Sequence, residues 1–179
     1  MALTFSSLGG LGFQCVGALR PLIVFPPAAS TDKNAIILLP APEEDTNDNV
    51  ISWPGEYNKG GVSIRGIGHT EGQQVSYIAE TDGVRCAFLS SPLQDWTDKQ
   101  MEVAGDIDVL VLPADEPKVA QKLIDDFDPR VLILLPGKDA DAFDAIAKHA
   151  GVKPDSTMSE YKLKGTLPAE GREVVVLRK

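Results

Sequence analysis

The sequence has 179 residues, of which 43% are hydrophobic and 24% are charged, so it is long enough for one globular domain with a substantial core. Its formal net charge is −9, and the broad basic surface that nucleic acid or an anionic membrane requires is therefore not expected. The apolar stretch 8–27 is broken by Arg20 and Pro21, and residues 1–14 contain no lysine or arginine, unlike a secretory leader. We predict a single domain over residues 1–179, located in the cytoplasm.

The first half of the chain has the pattern of a β-structure. Residues 3–16 and 22–25 are apolar runs bounded by glycine and proline, which predicts two strands. A short strand is predicted at 36–39, followed by an acidic loop at 40–53 and a turn at 53–57. Three more strands are predicted at 61–67, 75–81 and 84–89, and Asp82-Gly83 predicts a tight hairpin between the last two.

The second half has the pattern of a β-α-β unit. Residues 107–112 and 131–135 predict buried strands, and 118–127 predicts a helix between them because its apolar residues recur at helical spacing. A second helix is predicted at 140–150, ending at Gly151, and a closing strand at 173–177.

The two cysteines, Cys15 and Cys86, lie in apolar strand-like segments. A reducing compartment keeps such thiols free, so we predict two buried thiols rather than a disulfide.

Five segments in chain order carry a family resemblance. They are 4–26, Trp53-Pro54-Gly55-Glu56-Tyr57 with Gly61-Val62, Asp82-Gly83-Val84-Arg85, the stretch 105–110, and Asp128-Pro129-Arg130-Val131. Together they resemble the metallo-β-lactamase fold, in particular its small prokaryotic branch of predicted zinc-dependent hydrolases. The resemblance implies an α/β architecture, a four-layer αβ/βα sandwich in a short single-domain version, and in the family one or two metal ions that activate water.

The resemblance also implies where the family's metal ligands would fall in this chain. Zinc needs three or four nitrogen, sulfur or carboxylate donors at about 2.0 to 2.3 Å, and proline and phenylalanine side chains offer none. Only two histidines, His69 and His149, occur in the whole sequence. We therefore predict no metal cofactor and a degenerate site. Its ligand positions hold Pro40, Pro42, Glu44, Asp45, Phe88, Ser91 and Pro136.

Three groups of residues are weaker candidates for chemistry. His69 paired with Glu71 or Glu44 is a candidate general base, against the alternative of an exposed loop histidine. The acidic run Glu43, Glu44, Asp45 and Asp48 is a candidate site for a hard cation, but its spacing does not match a calcium loop and favours solvated surface. Ser90 and Ser91 lack a nucleophile-elbow pattern and are predicted to form a turn.

Trp53 and Trp96 stand in polar loops. Each is either an anchor for a protein partner or a residue packed locally on the edge of the sandwich.

Three functional hypotheses follow. The leading one is a pseudoenzyme, a non-catalytic binding or structural subunit that associates with a protein partner or with another copy of itself. The second is a hydrolase with an unusual site built from Glu44, Asp45 and His69. The third is a small-ligand sensor whose former active-site cleft takes an apolar or anionic metabolite. That cleft is predicted to be lined by Pro40, Pro42, Phe88 and Pro136.

Overall fold

Short apolar strands pair into two sheets in the computed structural model, which describes residues 2–153 and 156–179. In chain order the elements are β1 (Leu3–Gly9), β2 (Gly12–Val16), β3 (Leu22–Val24), β4 (Ile36–Leu38), β5 (Val50–Ile51), β6 (Gly55–Lys59), β7 (Val62–His69), β8 (Gln74–Thr81), β9 (Val84–Phe88), α1 (Asp98–Ala104), β10 (Val109–Pro113), α2 (Pro117–Phe127), β11 (Val131–Leu135), α3 (Ala140–Ala150), β12 (Thr157–Met158), β13 (Glu160–Leu163) and β14 (Glu173–Leu177).

The two sheets have different topologies. The smaller sheet has the strand order β13-β1-β2-β3-β4-β5, and the larger one has the order β12-β14-β11-β10-β9-β8-β7-β6. Strands β6 to β9 form an antiparallel meander, whereas β9, β10, β11, β14 and β12 run parallel. Helix α2 makes the crossover between β10 and β11, as the β-α-β pattern predicted.

Alternate residues of both sheets meet in a core between them. Phe13 of β2 packs edge-on against Phe88 of β9, with ring centroids 5.2 Å apart. The hydroxyl of Tyr77 on β8 lies 2.6 Å from the carbonyl oxygen of Leu39 and 3.0 Å from that of Ile51, so it ties the larger sheet to the smaller one. This burial of apolar side chains on facing sheets is the main stabilising contribution to the sandwich.

The helices cover the outer face of the larger sheet. Side chains such as Ile124 of α2 and Ile146 of α3 form a second apolar cluster with the outward-facing residues of that sheet. On the outer face of the smaller sheet, by contrast, the described ranges place no helix but a small cluster of Ile23, Ala35 and Ile37. The predicted α/β sandwich is confirmed, but in the described ranges its helices lie on one side only, so they do not form the second helical layer that the four-layer prediction placed over the smaller sheet.

Several element boundaries match the sequence pattern. Strands β11 and β14 and helix α3 have the predicted bounds, and α2 begins one residue earlier, at Pro117. Asp82-Gly83 joins β8 to β9 as predicted, with both residues at positive φ. Gly151 ends α3 at φ 73, a left-handed conformation that glycine adopts without steric cost.

Other predictions were wrong. Residues 3–16 are not one strand but the hairpin of β1 and β2, which turns at Gly9-Gly10 with φ values of 96 and 56. Residues 53–57 are not only a turn, because Gly55–Lys59 forms the edge strand β6. Helix α1 was not predicted; it begins at Asp98, directly after the loop that contains Trp96, and its capping box pairs Thr97 with Gln100.

In the ranges that the structure covers, no helix is both long enough and apolar enough to cross a membrane.

Candidate functional site

Three parallel strands of the larger sheet end at one edge. Strands β9, β10 and β11 are neighbours in register, so the residues that follow them come together. These residues include Ser91 after β9, Asp115 after β10 and Pro136 after β11. In α/β proteins, ligands bind at this carboxyl edge of parallel strands.

A cleft of about 650 Å³ opens at this edge, within the size range of small-molecule sites. One wall comes from the β1–β2 turn and the segment after β3, and the other from the residues after β9, β10 and β11. The lining is mostly apolar, with a few polar side chains on the second wall. The lining residues are Gly10, Leu11, Phe25, Pro27, Ser91, Ala114, Asp115, Pro136, Gly137, Lys138 and Asp139.

The carboxylate of Asp115 is held in place by two donors. The hydroxyl of Ser91 donates to Oδ2, and the backbone N–H of Leu93 donates to Oδ1 at 2.9 Å. Each oxygen of an ionised carboxylate can accept more than one hydrogen bond. Asp115 is therefore oriented by the protein and still able to accept from a ligand in the cleft.

The backbone at the cleft is strained at two non-glycine residues. Phe25 has φ 48 and Glu116, next to Asp115, has φ 44. A left-handed conformation of this kind costs on the order of 1 to 3 kcal/mol and persists only where its surroundings enforce it. The N–H of Phe25 donates to the carbonyl of Leu38 at 2.9 Å, and its ring lies 6.0 Å from that of Tyr77, so the phenyl ring is fixed at the cleft wall.

The predicted ligand positions of the family divide into three groups. Ser91 and Pro136 line the cleft, as expected. Phe88 does not, because it is fully buried in the core between the sheets against Phe13, so its place in the predicted cleft lining was wrong. Pro40 and Pro42, also expected in that lining, lie outside it in the loop after β4.

Glu44 and Asp45 are exposed in the same loop after β4. The wider acidic run, Glu43 to Asp48, is solvated there, as the charge pattern favoured.

His69 lies away from the cleft, on the face of the larger sheet that packs against the helices. It is the last residue of β7, only 5% exposed, and its ring centroid lies 5.2 Å from that of Trp96. The exposed loop histidine expected from the sequence was therefore wrong. In the described part of the chain, its Nε2 has no hydrogen-bond partner, and no carboxylate pairs with it. Burial lowers the pKa of His69.

Trp96 is packed locally rather than presented to a partner. It is 6% exposed and lies between His69 and Phe127, with a centroid distance of 5.2 Å to each ring. The anchor hypothesis for Trp96 was wrong. Trp53, by contrast, is 51% exposed.

Ser90 belongs to a buried polar network that shapes the segment before the cleft. The N–H of Ser90 donates to the hydroxyl of Ser76 at 3.0 Å, and the side-chain amide of Gln74 donates to the hydroxyl of Ser90 at 2.9 Å. The same amide donates to the carbonyl of Pro92 at 2.7 Å. The polar atoms of Ser90 are thus occupied by neighbouring groups within a buried segment after β9, and the chain bends at the next residues, Ser91 and Pro92.

The residues at this edge do not fit the zinc ion that the fold implies. Within residues 2–153 and 156–179, no three His, Cys, Asp or Glu side chains converge as metal ligands. The cysteines do not contribute, because Cys15 and Cys86 are buried in the core as free thiols. Burial raises the pKa of Cys15 to about 12 and that of Cys86 well above its ordinary value.

Solved structures match this chain at the level of the fold. No protein-family model and no curated protein matches its sequence. A predicted Zn-dependent hydrolase of the metallo-β-lactamase superfamily from Thermotoga maritima is 21% identical, with 99% of this chain and 100% of that chain covered and a TM-score of 0.75. A metallo hydrolase from Ignicoccus hospitalis is 13% identical, with 93% and 100% covered and a TM-score of 0.61. The metallo-β-lactamase fold protein YhfI from Bacillus subtilis is 10% identical, with 99% and 97% covered and a TM-score of 0.62.

Proposed function

This chain has the metallo-β-lactamase fold, and we propose that it is a non-catalytic binding protein that takes a small ligand in the cleft beyond β9, β10 and β11. The cleft has the volume and the largely apolar lining of a ligand site, with a few polar groups at one wall. The strained conformations of Phe25 and Glu116 at its border add support, since strain of this kind concentrates at binding sites.

One observation carries the non-catalytic part of the proposal. Four polar side chains line the cleft: Ser91 and Asp115, which are hydrogen-bonded to each other, and Lys138 and Asp139. No histidine lines the cleft in the described chain, so Ser91 has no imidazole to take its proton. The set is suited to orienting a ligand rather than to activating a nucleophile.

The hydrolase hypothesis has less support. It needs Glu44, Asp45 and His69 in one site, whereas the two acids are exposed in the loop after β4 and the histidine is buried under Trp96. A general base must come within hydrogen-bond reach of the proton that it abstracts, and His69 has no access to the cleft side of the sheet.

The proposal is tested by titrating a library of small fragments into ¹⁵N-labelled protein and following backbone resonances. We expect shifts that cluster at residues lining the cleft. Gly137→Trp is the blocking variant, because Gly137 lines the cleft and a Cβ atom there meets only the carbonyl oxygen of Ala114, at 3.9 Å. Ala145→Trp, on the exposed side of α3, adds the same side chain away from the cleft and is the matched control.

Binding that Gly137→Trp abolishes and Ala145→Trp preserves supports the proposal. Fragments that shift no cleft resonance, or that bind equally well to Gly137→Trp, contradict it.

Protein association through Trp53 is a second candidate function. Its indole N–H donates to the carbonyl of Glu43 at 3.2 Å, and its own carbonyl accepts from the hydroxyl of Tyr57 at 2.8 Å. A large aromatic side chain held rigidly in the open is the kind of residue that anchors interfaces. If the partner is another copy, light scattering will show an oligomer that Trp53→Ala dissociates; a monomer at all concentrations contradicts self-association.

A further inference from the structure

The chemistry of the cleft also indicates which class of ligand fits it. The lining opposite Asp115 is hydrocarbon from Leu11, Phe25 and Pro27, with Pro136 on the same side as the carboxylate. The cleft volume of about 650 Å³ is more than large enough for an apolar group of the size of one aromatic ring.

The charged groups of the cleft favour a cation. Asp115 and Asp139 both line it, against one lysine, Lys138, which is exposed at the mouth. Asp139 accepts from the N–H of Ala142 at 3.1 Å as the N-cap of α3 and is exposed to solvent, where an ion pair is weak. Asp115 is half-buried beside the apolar wall and is therefore the carboxylate better placed to recognise a ligand, and the structure places no Lys, Arg or His within ion-pair distance of it in the ranges it describes.

Its hydrogen bonds restrict what Asp115 can accept. Ser91 and the backbone of Leu93 both donate hydrogen bonds to the carboxylate of Asp115. The lone pairs that remain on its oxygens can therefore be satisfied only by further hydrogen-bond donors. A carboxylate or phosphate of a ligand would bring a like charge instead. The apolar wall limits the access of water and strengthens an ion pair formed here relative to one on the open surface.

We infer that the ligand is a small organic cation, an apolar body bearing a primary ammonium group that pairs with Asp115. This inference rests on the proposed function, since it assumes that the cleft is a ligand site. The net charge of −9 acts in the same direction, because it attracts cations toward the protein at long range. Of the apolar or anionic metabolite that the sensor hypothesis considered, the anionic one is disfavoured.

Three matched probes test the inference: phenethylamine, 2-phenylethanol and 3-phenylpropionate. They share an aromatic ring and differ in the charge of the head group, and their affinities are measured by calorimetry and by resonance shifts at the cleft. We expect phenethylamine to bind about tenfold to a hundredfold more tightly than the alcohol, the range that a hydrogen bond to a charged group provides. The carboxylate is expected to bind most weakly.

Three variants distinguish an ion pair with Asp115 from the long-range attraction of cations by the negatively charged protein. Asp115→Asn keeps the shape of the side chain and is expected to reduce the affinity for phenethylamine to the affinity for 2-phenylethanol. Asp141→Asn removes a nearby exposed carboxylate that does not line the cleft, and it is expected to retain the preference. Ser91→Ala leaves the charge but removes a bond that orients it, so a partial loss for the amine alone is expected. This variant decides the case if Asp115→Asn does not fold.

Equal affinities for amine and alcohol, or a preference that survives Asp115→Asn, overturn the inference, as does the absence of binding by all three probes. None of these outcomes decides the proposed function, because the fragment titration with Gly137→Trp tests the cleft independently of ligand charge.

Discussion

The imidazole of His69 packs against the indole of Trp96 with ring centroids 5.2 Å apart and the ring planes tilted by 54°, beneath the segment that leads into α1. Around it are the apolar residues of the cluster between the larger sheet and the helices, and in the described ranges its Nε2 has no hydrogen-bond partner. Protonation of this ring would bury a charge with nothing to compensate it. The environment therefore favours the neutral form, and burial lowers the pKa of His69 below its ordinary value of 6.5.

The first prediction is a loss of stability at acidic pH. Because the pKa of His69 is lower in the folded protein than in the unfolded chain, the unfolded state binds more protons as the pH falls below about 6.5. The free energy of unfolding is thus fully retained above that pH and declines below it. Urea unfolding of the parent and of His69→Phe, at about pH 7.5 and about pH 5.5, measures the effect.

His69→Phe keeps an aromatic ring beside Trp96 but does not titrate, so it should lose less stability between the two pH values than the parent. An identical loss of stability in the parent and in His69→Phe would show that other groups cause the acid sensitivity.

The second prediction concerns the hydrogen bonds by which the hydroxyl of Tyr77 connects the larger sheet to the smaller one. Tyr77→Phe removes the hydroxyl shared by the carbonyls of Leu39 and Ile51 and leaves buried acceptors without it. We expect the free energy of unfolding to fall by about 1 to 3 kcal/mol. Tyr57→Phe, which removes an exposed bond to Trp53, is the matched control with a smaller expected effect. Equal effects for the two variants would contradict this role of Tyr77.

The third prediction concerns Phe88, one of the positions on which the family resemblance places a metal-binding histidine. Because its ring is fully buried against Phe13, Phe88→His places a polar ring in the core between the sheets. We expect a lower free energy of unfolding and no gain of zinc binding, measured by urea unfolding and by zinc titration calorimetry. Zinc affinity created by this one substitution would mean that Phe88 faces the former metal site.

The fourth prediction concerns the thiols. Burial raises the pKa of both Cys15 and Cys86, so neither is a thiolate at neutral pH in the folded protein. A thiol reagent such as Ellman's reagent should react with neither residue in native buffer and with both in denaturant. Reaction of the folded protein at the rate of a free thiol would contradict the burial of these residues.

The sequence predicted the second half of the fold better than the first. The apolar runs at 131–135 and 173–177 and the periodic helix ending at Gly151 are local signals, and β11, α3 and β14 have the predicted bounds. The turn at Gly9-Gly10 was hidden because Leu8 and Leu11 on either side kept the run apolar. Strand β6 was missed because Gly55–Lys59 is a polar edge strand with few apolar residues.

The site was predicted only in part, for a topological reason. Ser91 and Pro136 were expected at the site because the family resemblance places metal-ligand positions on them, and both line the cleft. Asp115 follows β10, and its position after a buried strand was the signal that could have identified it. The left-handed conformation of Phe25, and the contribution of the β1–β2 turn to the opposite wall, depend on contacts between the sheets that no local pattern records.

We propose that this fold binds a ligand in its cleft and carries out no metal-dependent chemistry. The most direct test is the metal content of protein expressed without a metal-binding tag, measured by mass spectrometry before and after incubation with zinc and with manganese. We expect no stoichiometric metal in any sample, because the described residues at the cleft do not supply a set of metal ligands. Stoichiometric zinc or manganese that survives dialysis would contradict it and would favour the hydrolase hypothesis.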